Sequence, residues 1–464
     1  MYPLAIDVGT TNIKLHIFEK TEIIEQVTLP IETYRDRGGK VYQSPKQIYR
    51  QIVRGVRSLT DKGLEIESIV LSTAMHSIMP VFEDRVEEMY IWLDTQGEDF
   101  IKSVKSEKDY LTYYRKTGTP IHEMSPFAKI GHFQKESWFK EVKRWIGMKD
   151  YLMEKLTGEF VVDYSIASAT GLFNIHDKEW DQEILEKVGI ETSSLARLVN
   201  TNYSAKLQKS VAEELFLKPE IPVYIGASDG CLASYASYIA NGTLNTVTVG
   251  TSGAVRKLSK DIELDEEGQT FCYYLNDDYW VIGAATNNGG QIMTWAENIF
   301  FSGDSIFANI SHSLENAPIG SDGLLFFPYL TGERAPLWQS TPQGQYVGIS
   351  LQHTKYHMVR SLIEGILYNL RYISELVELE PREITVNGGF FANECLTMMI
   401  ADVFGHHVIQ SSCTEATFGA VNIIQPMKTQ LLSSHRRTFY TQENHYLYNN
   451  SYKVFKKELE ANFI

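Results

Sequence analysis

Two short runs of glycine and hydroxyl residues stand about half the chain apart: Asp7-Val8-Gly9-Thr10-Thr11 and Val249-Gly250-Thr251-Ser252-Gly253. Glycine lets the backbone approach an anion closely, and the hydroxyls and amides that follow can donate hydrogen bonds to phosphate oxygens. Either run alone reads as an ordinary hairpin. Occurring twice in matching contexts, the runs point to two turns that grip a nucleotide triphosphate from both sides of a cleft. An aspartate just ahead of such a turn is placed to hold Mg2+, directly or through water, while the turn binds phosphate; Asp7 has that position. Gly9, Thr10, Thr11 and Asn12 are the phosphate-binding candidates of the first turn. Lys14 is placed to neutralise charge on a transferring group, its alternative being a solvent-facing strand lysine. Phosphoryl transfer to an alcohol also needs a carboxylate near the acceptor hydroxyl. Asp229, in Gly226-Ala227-Ser228-Asp229-Gly230, is the candidate base, with a plain helix N-cap as the alternative.

The elements that position these groups are legible in outline. Tyr2 to Ile6 and Ile13 to Phe18 flank the first turn, and Leu244 to Thr248 and Ala254 to Leu258 flank the second. The spacing predicts strand, turn, strand in both halves. Ser44-Pro45-x-Gln47 reads as an N-cap, a proline at the first helical position and a capping-box partner, followed by Ile48, Ile52, Val53, Val56 and Leu59 at helical spacing. Ile66 to Ser72 is a buried strand leading into Thr73-Ala74-Met75-His76. The second half repeats the order, with a helix expected to open at Arg360 and a strand from Glu383 to Val386 that ends in Asn387-Gly388-Gly389. Asp229 and Glu415 fall at matching corners. A long insertion, about 92–217, separates the strands of the first half and is a plausible substrate platform. The fold class expected is α/β, with ligands at the carboxyl ends of the strands. Tyr448, Tyr452, Phe455 and Leu459 predict a packed amphipathic helix near the end of the chain.

At 464 residues the chain exceeds what one core usually organises, so two domains are expected. A net charge of −15 argues against nonspecific binding to nucleic acid or an anionic membrane, so an anionic ligand must be met by local donors. Cys231, Cys272, Cys395 and Cys413 are widely spaced, which suggests neither a zinc site nor a disulfide framework. The first apolar run carries Asp7 and lacks a basic start, and no apolar stretch approaches the roughly 20 residues needed to cross a bilayer. A soluble cytoplasmic protein with reduced thiols is the expectation. A homodimer is left open.

Asp7 to Lys14, Gly226 to Gly230, Gly250 to Gly253, Gly332-Glu333-Arg334-Ala335-Pro336-Leu337-Trp338, and Gly388-Gly389 with Asn393 together resemble the FGGY carbohydrate kinases, in order and over essentially the whole chain. The resemblance implies two ribonuclease-H-like domains of the actin and hexokinase type, with ATP and Mg2+ in a central cleft that closes around a polyol or sugar acid. The domains implied are 1–240, carrying substrate and base with the insertion inside it, and 241–464, carrying the nucleotide. It further implies that Asp229 is the catalytic base, that Gly250, Thr251 and Ser252 contact phosphate, and that Gly388, Gly389 and Asn393 help hold the adenosine. Glu333 and Arg334 are expected to shape the cleft.

Within the family the wording is most similar to gluconate kinases, at Ser72 to Ser77, Gly118 to His122 with Met124-Ser125-Pro126, Asp163 to Gly171, and Gly250 to Arg256. Xylulose kinases share the Met75-His76 pair, which touches substrate there, so His76 speaks for polyols in general. A sugar acid also carries a carboxylate that needs a cation or fork of donors, for which Lys129, His122 and Arg334 are the candidates. The expected reaction is ATP-dependent phosphorylation of a terminal hydroxyl, O6 of D-gluconate, giving 6-phosphogluconate. A xylulose or other polyol kinase is the near alternative, and a noncatalytic actin-like nucleotide sensor the alternative of another class. Two features depart from the family: Gln96 ends Trp92-Leu93-Asp94-Thr95-Gln96 where relatives carry arginine, and Phe390-Phe391 follow Gly388-Gly389 where polar residues are common.

Overall fold

Near-continuous apolar stretches become the central strands. In the computed structural model, β1 (Tyr2–Val8) is buried almost throughout, as a strand flanked on both faces must be. The structure describes residues 2–464 apart from 84, 85, 87, 342, 381, 412–414 and 427–435. It divides into two units, the first made of Met1–Ile239, Ser259–Val281 and Thr414–Lys428, the second of Ala240–Leu258, Ile282–Cys413 and Thr429–Ile464.

In the first unit, β2 (Asn12–Glu19) returns antiparallel along β1 and puts Lys14 opposite Asp7; β3 (Glu22–Pro30) continues the meander. β4 (Ile66–Thr73) lies parallel to β1. The insertion that follows is built of short helices and strands, and its last part returns an edge strand, β5 (Ser204–Lys206), to the main sheet. β6 (Pro222–Ser228) is parallel to β4, and the sheet order is β5-β6-β4-β1-β2-β3. The helix Pro45–Thr60 begins as its sequence requires: the Gln47 N–H donates to Ser44 Oγ, Pro45 occupies the first turn, and Ile48, Ile52, Val53, Val56 and Leu59 are buried.

The second unit repeats this plan. β7 (Asn245–Val249) and β8 (Gly253–Ser259) form the hairpin, and β9 (Tyr279–Thr286) lies beside β8. β10 (Ile384–Asn387) runs parallel to β7, β11 (Val408–Ser411) parallel to β10, and β12 (Arg436–Phe439) closes the edge antiparallel. Within this seven-stranded sheet the order β12-β11-β10-β7-β8-β9 repeats that of the six-stranded sheet. The helix expected to open at Arg360 starts earlier, at Lys355, and runs to Leu376. Thr354 caps it through the Tyr356 N–H, so a polar first turn without apolar periodicity belongs to it. The last helix, His445–Asn462, buries Tyr448, Tyr452, Phe455 and Leu459 as read.

Each repeat follows its third parallel strand with a helix, Asp229–Asn241 after β6 and Ala416–Ile424 after β11. The second of these helices is grouped with the first unit, where it packs on β1 and β4. It crosses Asp229–Asn241 at Gly419, where an added Cβ would stand 2.1 Å from the Leu232 carbonyl oxygen. Cys231, Cys272 and Cys395 are free thiols, and Cys413 lies outside the described residues. Among the described residues no helix is long and apolar enough to cross a membrane.

The Gly419 crossing is testable. Gly419→Ala forces the two helix backbones apart and is expected to cost about 1–3 kcal/mol in denaturant unfolding, a typical overpacking penalty. Unchanged stability would show that the crossing tolerates a methyl group.

Candidate active site

Asp7 and Asp229 sit at the carboxyl ends of β1 and β6, separated in the sheet by β4. Asp7 is 8 % exposed, and its Oδ1 accepts the Ser72 hydroxyl at 2.6 Å. Burial, and after it the negative charge of Asp229, pushes the Asp7 carboxyl up to about 7, with the Ser72 hydrogen bond and the Lys14 charge pulling the other way. Asp229 is half-buried at the first turn of its helix, and the Gly230 N–H donates to its Oδ1 at 2.7 Å. Two like charges share a site that desolvates at least one of them, an arrangement relieved by a proton or by a bound cation. Mg2+ takes one or two carboxylates, keeps several waters and completes its shell with phosphate oxygens. Among the described residues no group of three or more His, Cys, Asp or Glu could enclose a metal.

The first turn is built for backbone approach. The Gly9 N–H donates to the Asn12 carbonyl at 3.0 Å, and Thr11 and Asn12 form the exposed tip. Thr10 is fixed twice, by Trp92 Nε1 donating to its hydroxyl at 3.0 Å and by Gln43 Nε2 donating to its carbonyl at 2.7 Å. Gly9, Thr10, Met75, Ser77 and Trp92 line one small cavity. Lys14 is ion-paired with Glu415, so the corner residue read as matching Asp229 serves the first unit. His76 has a left-handed backbone, φ 63°, and sits edge-on to Tyr273. Its Nδ1 faces the Ala169 carbonyl at 2.7 Å and must carry the proton, which makes Nε2 the acceptor of the neutral ring. Met75 is half-buried beside it.

The candidates for a substrate carboxylate differ sharply. Lys129 is wholly buried, its ammonium donating to the carbonyls of Glu123 and Met124, and burial lowers its pKa to about 8. It holds the loop 122–125 from beneath. His122 lies in that loop; its Nδ1 accepts the Met124 N–H at 3.2 Å, leaving the proton on Nε2, which faces Glu123 Oε1 at 3.2 Å. Asp94 is also structural, accepting the Val41 N–H at 2.9 Å.

In the second unit the Gly250–Ser252 turn rests on the start of the helix Gly290–Phe300. The Gly290 N–H donates to the Gly250 carbonyl at 2.7 Å and the Gln291 N–H to the Thr251 carbonyl at 3.2 Å. A Cβ at Gly290 would meet the Gly250 oxygen at 2.6 Å, and one at Gly388, φ 99°, would meet the Val249 oxygen at 2.3 Å. Open space lies beside Gly250 and Gly389 themselves, the sides from which an anion can approach. Asn393 caps the helix Glu394–Phe404 through the Cys395 N–H and donates to the Phe307 carbonyl. Phe390 and Phe391 are buried against each other and turn away from any exposed surface.

Sequence reasoning missed two supports and gave a third, Glu333, only the general role of shaping the cleft. Gly289-Gly290 follow β9 after Asn287-Asn288, and a glycine pair at a strand-to-helix corner was the available signal. Glu333 is fully buried and pushed up to about 7 by burial, yet it accepts from Thr286 Oγ1, the Asn287 and Arg334 N–H groups and Asn288 Nδ2, fixing the segment beneath the Gly250 turn. Lys149 and Asp163, both buried without exposure, lie under β4 and β6; Asp163 opens the run Asp163 to Gly171, but nothing local marks Lys149.

Residues 2–235 match the model of the FGGY family of carbohydrate kinases, N-terminal domain, and residues 245–421 that of the C-terminal domain. The chain is 34% identical over 472 residues to the gluconokinase of Bacillus subtilis (strain 168), covering 94% of this chain and 91% of that protein. Two solved structures from Lactobacillus acidophilus are similar at 26% identity. A gluconate kinase has a TM-score of 0.94 and covers 99% of this chain and 98% of its own, and a xylulose kinase has 0.93 with 100% and 99%.

The Asp7 environment makes a pH prediction. With its folded pKa raised from 3.8 to about 7, Asp7 holds a proton in the folded chain that the unfolded chain has lost, so its contribution to stability falls as pH rises through that window. Asp7→Asn has no carboxylate to ionise. Thermal melting without nucleotide or divalent cation is expected to show the variant gaining on the parent between pH 4 and pH 8. A difference that does not change with pH would contradict the shift.

Proposed function

We propose, proceeding from the fact that the chain belongs to the FGGY family of carbohydrate kinases, that it transfers the γ-phosphoryl group of ATP to O6 of D-gluconate. The observation that carries the reading is Asp229, a half-buried carboxylate at a strand end, with a second carboxylate, Asp7, close enough to feel its charge. Asp229 accepts the proton of the acceptor hydroxyl as its oxygen bonds to the γ-phosphorus and the bond to the β-phosphate oxygen breaks, releasing ADP. Most of the work in such a loose transition state is positioning and charge stabilisation. The amides and hydroxyls of Gly9, Thr10, Thr11 and Asn12, with Lys14, hold and neutralise the moving phosphoryl group. Gly250, Thr251 and Ser252 hold nucleotide phosphate, and Gly388, Gly389 and Asn393 hold the adenosine, Asn393 by fixing the helix start rather than with an unused amide. Asp7 holds Mg2+, which when bound draws charge from the phosphates.

Met75, His76 and His122 face the substrate in this reading. Lys129 acts through the loop 122–125, since reaching a carboxylate would mean abandoning two buried carbonyls. Similarity to the Bacillus gluconokinase supports gluconate. Similarity to a xylulose kinase, together with Gln96 in place of an arginine, supports a neutral polyol as the second reading. Membership of a kinase family and the presence of both carboxylates speak against a noncatalytic sensor.

An assay of ADP release against gluconate, xylulose, ribulose, glycerol and fuculose decides among these, with gluconate expected to give the highest kcat/KM and xylulose in first place overturning the substrate. Asp229→Asn is expected to lower kcat by about 10³-fold with ADP binding retained. Near-parent turnover in that variant would sink the assignment of the base.

A further inference from the structure

β6 does not run straight to Asp229. Its pairing with β4 shifts between Tyr224 and Ala227, and Gly226 adopts φ 64°, with the Leu71 oxygen 1.9 Å from where a Cβ would be. A bulge of this kind re-aims the residues after it and leaves backbone carbonyls without ladder partners. Three of the carbonyls at this break turn to one side chain. Lys149 Nζ donates to Ile225 at 2.6 Å, to Ala227 at 3.0 Å and to Leu71 at 3.4 Å, spanning both strands. Its charge is met by Asp163 Oδ2 at 3.5 Å, and both side chains are fully buried.

Asp163 carries the connection further. Its Oδ1 accepts the Ile166 N–H at 2.9 Å and so caps the helix Tyr164–Ser168. On that helix Ser165 Oγ accepts the Ser228 N–H at 3.2 Å and lies 2.9 Å from Ser228 Oγ. The residue immediately before Asp229 is thus held from one side by this helix, and the bulge behind it by the lysine. A buried ammonium is costly unless its hydrogen bonds are filled; three carbonyls take its three N–H groups, and Asp163 balances its charge. Burial lowers the Lys149 pKa, while Asp163, Asp150 and Asp7 all raise it, so the negative charge of the site is felt at the ammonium.

We propose that Lys149 is a positioning residue for phosphoryl transfer: it clamps the Gly226 bulge and, with Asp163, fixes the direction in which Asp229 leaves β6. The inference rests on Asp229 being the base. Lys149 touches neither substrate nor nucleotide; it acts through backbone.

The test compares the full-length parent with Lys149→Met, with the double variant Lys149→Met/Asp163→Asn, and with Asp229→Asn. The double variant removes the buried charge pair together, so that no carboxylate is left stranded if the single variant does not fold. Active sites are counted by ADP-binding stoichiometry, so that a smaller folded fraction is not mistaken for slower chemistry. The expected result is a per-site kcat about 100-fold below the parent with the ADP dissociation constant within about threefold, as a base displaced by about 1 Å requires. Per-site kcat within about threefold of the parent overturns the proposal, as does parallel loss of ADP binding and turnover. Failure of both lysine variants to fold overturns it too, because the tie would then be global. Near-parent turnover in Asp229→Asn brings down the base assignment instead, whatever the lysine variants do.

Discussion

Two carboxylates that repel each other are held at the ends of parallel strands, one of them sealed from water. That constraint organises the first unit. Asp7 is buried and destabilised as an anion, by desolvation first and by Asp229 second. Burying a charge without a partner is among the most expensive things a protein can do, and the proposed roles of the pair, a cation site and a proton acceptor, would use both carboxylates together. Ser72 and Lys14 temper the cost without removing it. Lys14 is itself occupied by Glu415, so its charge reaches Asp7 across the strand pair as a field and not as a contact.

Backbone geometry carries the rest. In both units a glycine-containing turn joins the first two strands, and around the second the backbone is crowded on one side. Gly388 and Gly290 lie so close to the second turn that a methyl group at either would collide with its carbonyls. Gly250 itself faces open space, leaving its amide side accessible. Close backbone packing behind a turn and room in front of it give rigid donors, and donors that need not reorganise stabilise developing charge best. Glu333 extends this logic by gathering the segment that supports the turn onto one buried carboxylate.

The duplicated strand order was legible because it rests on local signals: apolar runs of strand length, glycine-hydroxyl turns and a proline-capped helix. The turn residues and Asp229 stood out for the same reason, since turn chemistry and strand ends are written in adjacent positions. What stayed hidden depends on contacts far apart in sequence. Lys149 looks like any helix lysine until β4 and β6 converge over it, and Glu333 looks like a loop glutamate until Thr286 and Asn288 arrive. Lys129 misled in the opposite direction: a cation near a proposed substrate loop reads as a ligand, whereas the fold draws it inside to satisfy carbonyls. Phe390 and Phe391 read as a departure at the nucleotide site and prove to be core. The start of the helix at Lys355 was missed because its first turn is polar and its cap is a single threonine.

The repulsion between Asp7 and Asp229 is open to direct observation by following the carboxyl carbon of Asp7 through a pH titration, in the parent and in Asp229→Asn. The account predicts a midpoint of about 7 in the parent and a clear fall when the neighbouring charge is removed. A midpoint in the ordinary aspartate range, near 4, or one indifferent to residue 229, would contradict it.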